Sequence, residues 1–254
     1  MRSLSELHSC EDVIFTAHRG ASFADAENTM SGFRRAVDAG ADIIEFDVRM
    51  SRDGVPVILH DLTVDRTSDM SGKPEDYLFS ELKKGDFTYF SRGERLEKPL
   101  HPGESIPALE EVLQEFHDQV CMNIQVYASR DGLAEICHLY LKYQMMDKGF
   151  LTIADMGDAE FVRQYSSDIE ICLTPGWEER AEPEKLRLCA DFGCRFVQPV
   201  WNSVTPETFQ ICRDLGLCAN VFFADTVDEV RRMTAMGARS FLTNRIGDMT
   251  VLDF

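Results

Sequence analysis

Short apolar runs and amphipathic stretches take turns along most of this chain. From residue 121 onward the apolar runs lie at 121–126, 150–154, 170–174, 195–200, 218–223 and 240–243. Runs this short and this continuously apolar predict strands buried on both faces, and strands separated by helices predict a parallel sheet. The stretches between them carry helix punctuation. Thr205-Pro206-Glu207 opens one that ends near Gly216, and another over 226–236 ends at Gly237. A hydroxyl cap, an early proline or acid, and a closing glycine are the expected start and stop signals. The first third adds strands over 13–17 and 43–48, with a helix over 29–39 between them closed by Gly40. Eight strands is the number that closes a (β/α)8 TIM barrel. A further run over 55–60 follows the second strand after too few residues for a crossover helix, so it is expected to extend that strand as a hairpin.

Residues 61–103 fit neither period. They are polar and broken by Ser71-Gly72, Lys73-Pro74, Gly85, Gly93 and Lys98-Pro99. The segment is expected to be an insertion folding over the barrel mouth, within one domain spanning 1–254. The length of 254 residues suits a single α/β barrel.

Composition narrows the function. A net charge of -18 argues against nucleic acid or an anionic membrane as partner, since both need a basic face. It leaves room for a small anionic substrate, because a bound divalent cation reverses the local sign. The eight cysteines include no CxxC pair, and several sit in apolar runs, so reduced, buried thiols are expected. No secretory signal core stands at the N-terminus, and no apolar run reaches the roughly 18 residues that span a bilayer, so stable membrane insertion is not expected and the cytoplasm is the expected location.

The polar residues at predicted strand ends carry the candidate chemistry, since barrel active sites form at the C-terminal ends of the strands. Glu45 and Asp47 are two apart in a strand and so share a face. Two acids at the barrel mouth repel unless a cation lies between them, and hard oxygen donors suit Mg²⁺ or Ca²⁺. The alternative is a salt-bridged pair with Arg19 or Arg49. His18 and His60 each end an apolar run, as an acid/base pair for phosphodiester cleavage would. Arg19 offers a fork for non-bridging phosphate oxygens, and Gly20 would let the backbone come close to a ligand.

Ala17-His18-Arg19-Gly20, Glu27-Asn28-Thr29, Ile44-Glu45-Phe46-Asp47-Val48, Asp53-Gly54, His60-Asp61 and Arg66-Thr67, in this order, resemble the glycerophosphodiester phosphodiesterase family. Ile106-Pro107-Ala108-Leu109-Glu110-Glu111 resembles the family's helix entry after its insertion. The resemblance implies hydrolysis of a glycerophosphodiester to an alcohol and glycerol 3-phosphate. It implies His18 and His60 as general acid and base, Arg19 as phosphate ligand, and Glu45 and Asp47 as ligands of a divalent metal. The family's next ligand strand resembles Asn-Ile-Glu-Ile-Lys, with a metal-binding Glu and a phosphate-binding Lys. Here the stretch reads Asn123-Ile124-Gln125-Val126-Tyr127. Gln125 would bring an uncharged oxygen to the metal, and Tyr127 a hydroxyl to the phosphate. Phe223, in place of the family's Trp, would pack on the substrate or belong to the core. The two losses leave open a catalytically impaired phosphodiester-binding protein. Attack by a neighbouring hydroxyl, giving a cyclic product, is a further alternative.

Overall fold

The computed structural model describes residues 1–252. Its elements in chain order are α1 (Leu4–Ser9), β1 (Ile14–His18), α2 (Met30–Asp38), β2 (Ile43–Met50), β3 (Pro56–Ile58), α3 (Phe79–Leu82), β4 (Phe90–Ser91), β5 (Glu94–Arg95), α4 (Leu109–Phe116), β6 (Cys121–Val126), α5 (Arg130–Lys142), β7 (Gly149–Ile153), α6 (Met156–Tyr165), β8 (Ile171–Leu173), α7 (Pro183–Asp191), β9 (Phe196–Val197), α8 (Pro206–Asp214), β10 (Cys218–Phe222), α9 (Val227–Met236), β11 (Ser240–Thr243) and α10 (Ile246–Met249).

Eight parallel strands run in the order β8-β7-β6-β2-β1-β11-β10-β9, a nearly closed TIM barrel with β8 and β9 facing across the seam. The strands at this seam are shorter than their apolar runs. Pro175 and Pro199 lie just beyond them, and proline has no N–H to carry a ladder onward. β3 pairs antiparallel to β2, with Val48 opposite Ile58, which is the predicted hairpin extension. The helix punctuation reads as expected. Thr29, Thr205 and Thr226 cap α2, α8 and α9 through their hydroxyls, and Gly237 closes α9 at a φ of 108°.

Register decides which strand residues share a layer. His18 lies opposite Glu45, Glu45 opposite Asn123, and Asp47 opposite Gln125. Three neighbouring strands therefore bring their polar residues to the same end of the barrel.

The other end is closed by α1. Ser3 and Glu6 form a capping box that starts the helix, and Leu4 and Leu7 are fully buried. They pack on Ile14, Ile43, Phe150, Phe196 and Cys218, at or next to the first residues of their strands.

Residues 61–103 hold a 3₁₀ turn (Pro74–Asp76), α3 and the β4–β5 hairpin. Val64, Leu82 and Phe87 cluster there with Val57, Leu59 and Ile106. The segment flanks the mouth of the barrel: Arg66, Phe90 and Arg92 line a side cavity of about 340 Å³ together with Arg19 and Phe23. All eight cysteines are free, and seven of them are buried.

Candidate active site

A cavity of about 520 Å³ opens at the C-terminal ends of the strands. His18, Arg19, Glu45, Asp47, His60, Gln125 and Tyr127 all line it. Trp177, Arg180, Gln198 and Phe222 also contribute, residues that no local sequence signal singled out.

Glu45 and Asp47 point into the cavity from β2 and are only 4% and 2% exposed. Glu45 Oε2 accepts from the Arg19 backbone N–H at 2.9 Å. Asp47 Oδ2 accepts from Asn28 Nδ2 at 2.9 Å, and Arg19 Nε lies 3.2 Å from it. Burial, then the charge of Asp47, holds the Glu45 carboxyl well above the usual carboxylate range. Arg19 is thus an ion-pair partner of the acid pair, as the salt-bridge alternative required, while Arg49 turns away and donates to the His60 carbonyl at 2.9 and 2.7 Å. Among the described residues no group of three or more His, Cys, Asp or Glu side chains is arranged around a metal position. Beside the two carboxylates the next oxygen donor is the amide of Gln125, whose Nε2 points to the Thr152 carbonyl at 3.5 Å.

Each histidine has one nitrogen anchored. His18 Nδ1 lies 2.7 Å from Asn244 Oδ1, and Asn244 Nδ2 donates to Asp225 Oδ2 at 2.7 Å. A carboxylate only accepts, so the amide nitrogen must face Asp225 and the amide oxygen must face the ring. Nδ1 of His18 therefore carries the proton, and Nε2 presents a lone pair, 3.9 Å from Glu45 Oε2. Burial, followed by the charge of Arg19, pulls the His18 pKa down to about 4, so the ring is neutral at physiological pH. His60 Nδ1 donates to Asp61 Oδ1 at 2.7 Å, which leaves its Nε2 as the free nitrogen. Arg66 clamps Asp61 through Nε at 2.6 Å and Nη2 at 3.0 Å, and also reaches Glu27 at 2.7 and 2.9 Å.

One expectation is corrected. Phe222, not Phe223, lines the cavity: β10 ends at Phe222, whose ring stands edge-on to His18 at 5.3 Å. Phe223 lies just past the strand end and packs edge-on against the Phe222 ring at 5.3 Å. Gly20 serves a close approach to the chain itself. At φ 77°, a Cβ there would lie 2.9 Å from the Gly32 carbonyl carbon of α2. Tyr127 lines the cavity, with its hydroxyl pushed up to about 12, chiefly by burial and then by the charges of Asp47 and Glu45.

The family model for the glycerophosphoryl diester phosphodiesterase family matches residues 18–248. The chain belongs to this family. A glycerophosphodiester phosphodiesterase of Caldanaerobacter subterraneus subsp. tengcongensis is 27% identical over 233 residues, 90% of this chain and 92% of that protein. Rat glycerophosphodiester phosphodiesterase 1 is 36% identical over 146 residues, which cover 58% of this chain and 42% of the rat protein. Among solved structures, a putative glycerophosphoryl diester phosphodiesterase from Silicibacter pomeroyi superposes with a TM-score of 0.84 at 21% identity, covering 99% of this chain and 98% of the other. An Oleispira antarctica phosphodiesterase in complex with the product sn-glycerol-3-phosphate superposes at 0.78 and 16% identity, covering 94% and 95%. As a glycerophosphodiester phosphodiesterase family member, the chain is a phosphoric diester hydrolase whose polar cavity sits where this barrel architecture holds its chemistry. Among the described residues no helix is long and apolar enough to cross a membrane.

Proposed function

We propose that the cavity hydrolyses a glycerophosphodiester to an alcohol and glycerol 3-phosphate, with His18 as base and His60 as acid. The observation that carries this reading is the opposite anchoring of the two rings. His18 is a neutral imidazole with a bare Nε2 beside the carboxylate pair, and His60 is backed by the Asp61 carboxylate. Phosphoryl transfer needs both roles at once. His18 Nε2 takes the proton of the attacking water as the new P–O bond forms, and His60 Nε2 gives a proton to the alkoxide as the ester P–O bond breaks. The Asp61 carboxylate, itself clamped by Arg66, holds the acid in place. The solved structure of the Oleispira enzyme, with glycerol 3-phosphate as product, supports the product assigned here.

We further propose a divalent cation, Mg²⁺ or Ca²⁺, held by Glu45, Asp47 and the Gln125 amide oxygen. The donor set fits. All three offer hard oxygens, and the mutual repulsion of two buried carboxylates is what a cation relieves. When bound it would act as a Lewis acid toward phosphate oxygens. With one neutral donor in three, its binding is expected to be weak, because ligand charge count sets affinity.

A second reading, phosphodiester binding without turnover, draws on the uncharged side chains of Gln125 and Tyr127 in the cavity. Phosphorus NMR of glycerophosphocholine incubated with the protein and Mg²⁺, Ca²⁺ or Mn²⁺ separates these outcomes. Glycerol 3-phosphate appearing with a cation and stopping with chelator is expected. A cyclic phosphate as end product would replace hydrolysis by cyclisation. Silence with every cation and several head groups would leave the binding reading, and Gln125→Glu with Tyr127→Lys should then raise activity from zero.

A further inference from the structure

An anion is held by positive charge that the protein has not already neutralised, and the two guanidinium groups lining this cavity differ in that respect. Arg19 lies among acids: its Nη1 donates to Glu27 Oε1 at 3.1 Å, and its Nε, 3.2 Å from Asp47 Oδ2, is buried without a hydrogen bond. Glu45 adds a third carboxylate close by. Its charge is already balanced by the protein.

Arg180 is not. It sits on the turn Glu178–Ala181 that follows β8, half-buried, and lines the same cavity as Arg19. Its Nε donates to the Gly176 carbonyl at 3.0 Å. The Trp177 ring lies against its guanidinium, 4.8 Å from Cζ to the ring centre. Trp177 packs edge-on against Phe222 at 5.2 Å, and Phe222 in turn against His18 at 5.3 Å. One carbonyl and one aromatic face therefore aim the side chain, and its two terminal nitrogens have no protein acceptor among the described residues. The acids of its own turn do not pair with it; Glu179 reaches Lys185 at 3.1 Å. The groups bearing on it from other elements, the Tyr127 hydroxyl and the thiols of Cys172 and Cys189, are neutral at physiological pH. Burial accordingly lowers its pKa, whereas the carboxylates around Arg19 and Arg66 raise theirs. A guanidinium half out of water without an anionic partner is an unfavourable arrangement that a bound anion corrects.

We propose that Arg180 is a substrate-binding cation of this cavity, its free fork donating to non-bridging phosphate oxygens of the diester and of the released phosphomonoester. Tyr127, which lines the same cavity, supplies a hydroxyl there but no charge. Trp177 and Phe222 act as positioning residues: they link the fork to the His18 ring through successive ring contacts.

This inference rests on the cavity being the phosphodiester site, and binding and turnover test the two separately. Calorimetric titration of the intact protein with glycerol 3-phosphate, Mg²⁺ supplied, is run beside steady-state hydrolysis of glycerophosphocholine. Arg180→Gln is expected to weaken glycerol 3-phosphate binding roughly ten- to hundredfold, the value of a charge-assisted hydrogen bond pair, and to lower kcat/KM to match. Arg180→Lys keeps the charge without the planar fork and should recover part of the loss. If Arg180→Gln does not fold by circular dichroism, Arg180→Met, which keeps the apolar stem on Trp177, takes its place. Unchanged binding in the glutamine or methionine protein overturns the assignment. So does an equal loss in the lysine protein, which would mark a structural role, and so does an unaltered protein that does not bind glycerol 3-phosphate. Binding by the unaltered protein without any hydrolysis would sink the catalytic reading while leaving Arg180 as the anion site.

Discussion

His18 owes its assigned role to the amide of Asn244, from the loop after β11. The carboxylate of Asp225 orients Asn244, and Asn244 in turn decides which nitrogen of the imidazole is bare. The ring stays neutral because it is buried beside the charge of Arg19, which outweighs the opposing hydrogen bond to Asn244. Asn244→Ala removes the acceptor that holds Nδ1–H and frees the ring to flip. It is expected to lower kcat by roughly ten- to a hundredfold, as loss of an orienting partner does at metal and acid/base sites, with little change in KM. Steady-state kinetics on glycerophosphocholine checks this, and a change confined to KM would remove Asn244 from the positioning role.

The loops that leave β1 and β3 are bound to each other by charge. Glu27, in the loop after β1, pairs with Arg19 and Arg66; Arg66 pairs with Asp61, and Asp61 accepts from His60. Burial alone would raise the Asp61 carboxyl, but the hydrogen bonds from Arg66 and His60 outweigh it and bring it down to about 2. A carboxyl depressed in the folded state stabilises fully above its ordinary value near 3.8, and that contribution is lost as pH falls through about 2. Asp61→Asn is therefore expected to lose about 1 kcal/mol at pH 7, scaled down for the partial exposure of the pair. The gap to the unaltered protein should narrow between pH 4 and pH 2. Urea denaturation of both proteins at pH 7 and at successively lower pH measures it; a gap that does not change with pH would show that Asp61 acts through packing instead. The short β3 belongs to the same element-scale logic. It exists because Met50 and Pro56 can face each other across a tight antiparallel return, and it delivers His60 to the rim two residues later.

Over the whole barrel, stability and chemistry are kept at opposite ends. α1 plugs the end where the strands begin, and the polar cavity opens where they finish. Leu7→Ala leaves a hole under the fully buried end of α1 and is expected to destabilise the protein by about 2–5 kcal/mol. The folded fraction should turn over at the unaltered rate, because the cavity lies at the far end of the strands. Denaturation midpoints and kcat measured on the same preparation test this; a large fall in kcat with the fold intact would mean the two ends are coupled.

Local pattern was enough for most of the barrel and for the inner wall of its cavity. Burial on both faces makes each strand a continuous apolar run, helices must start and stop with caps, and a period of two puts Glu45 and Asp47 on one face. His18, Arg19, His60, Gln125 and Tyr127 could likewise be placed, because strand ends in such a barrel converge whatever the helices do. What depended on tertiary structure is everything that crosses between distant segments. Whether Phe222 or Phe223 turns inward rests on where β10 ends against β11. Gly20 meets Gly32 only once α2 has docked. Asn244 finds His18 across 226 residues of sequence, and Trp177 and Arg180 reach the cavity from a turn whose sequence has no period at all. The physical reason is the same in each case. Periodicity and capping are properties of neighbours along the chain, whereas an ion pair, a tautomer or an unpartnered guanidinium is defined by what the fold brings beside it.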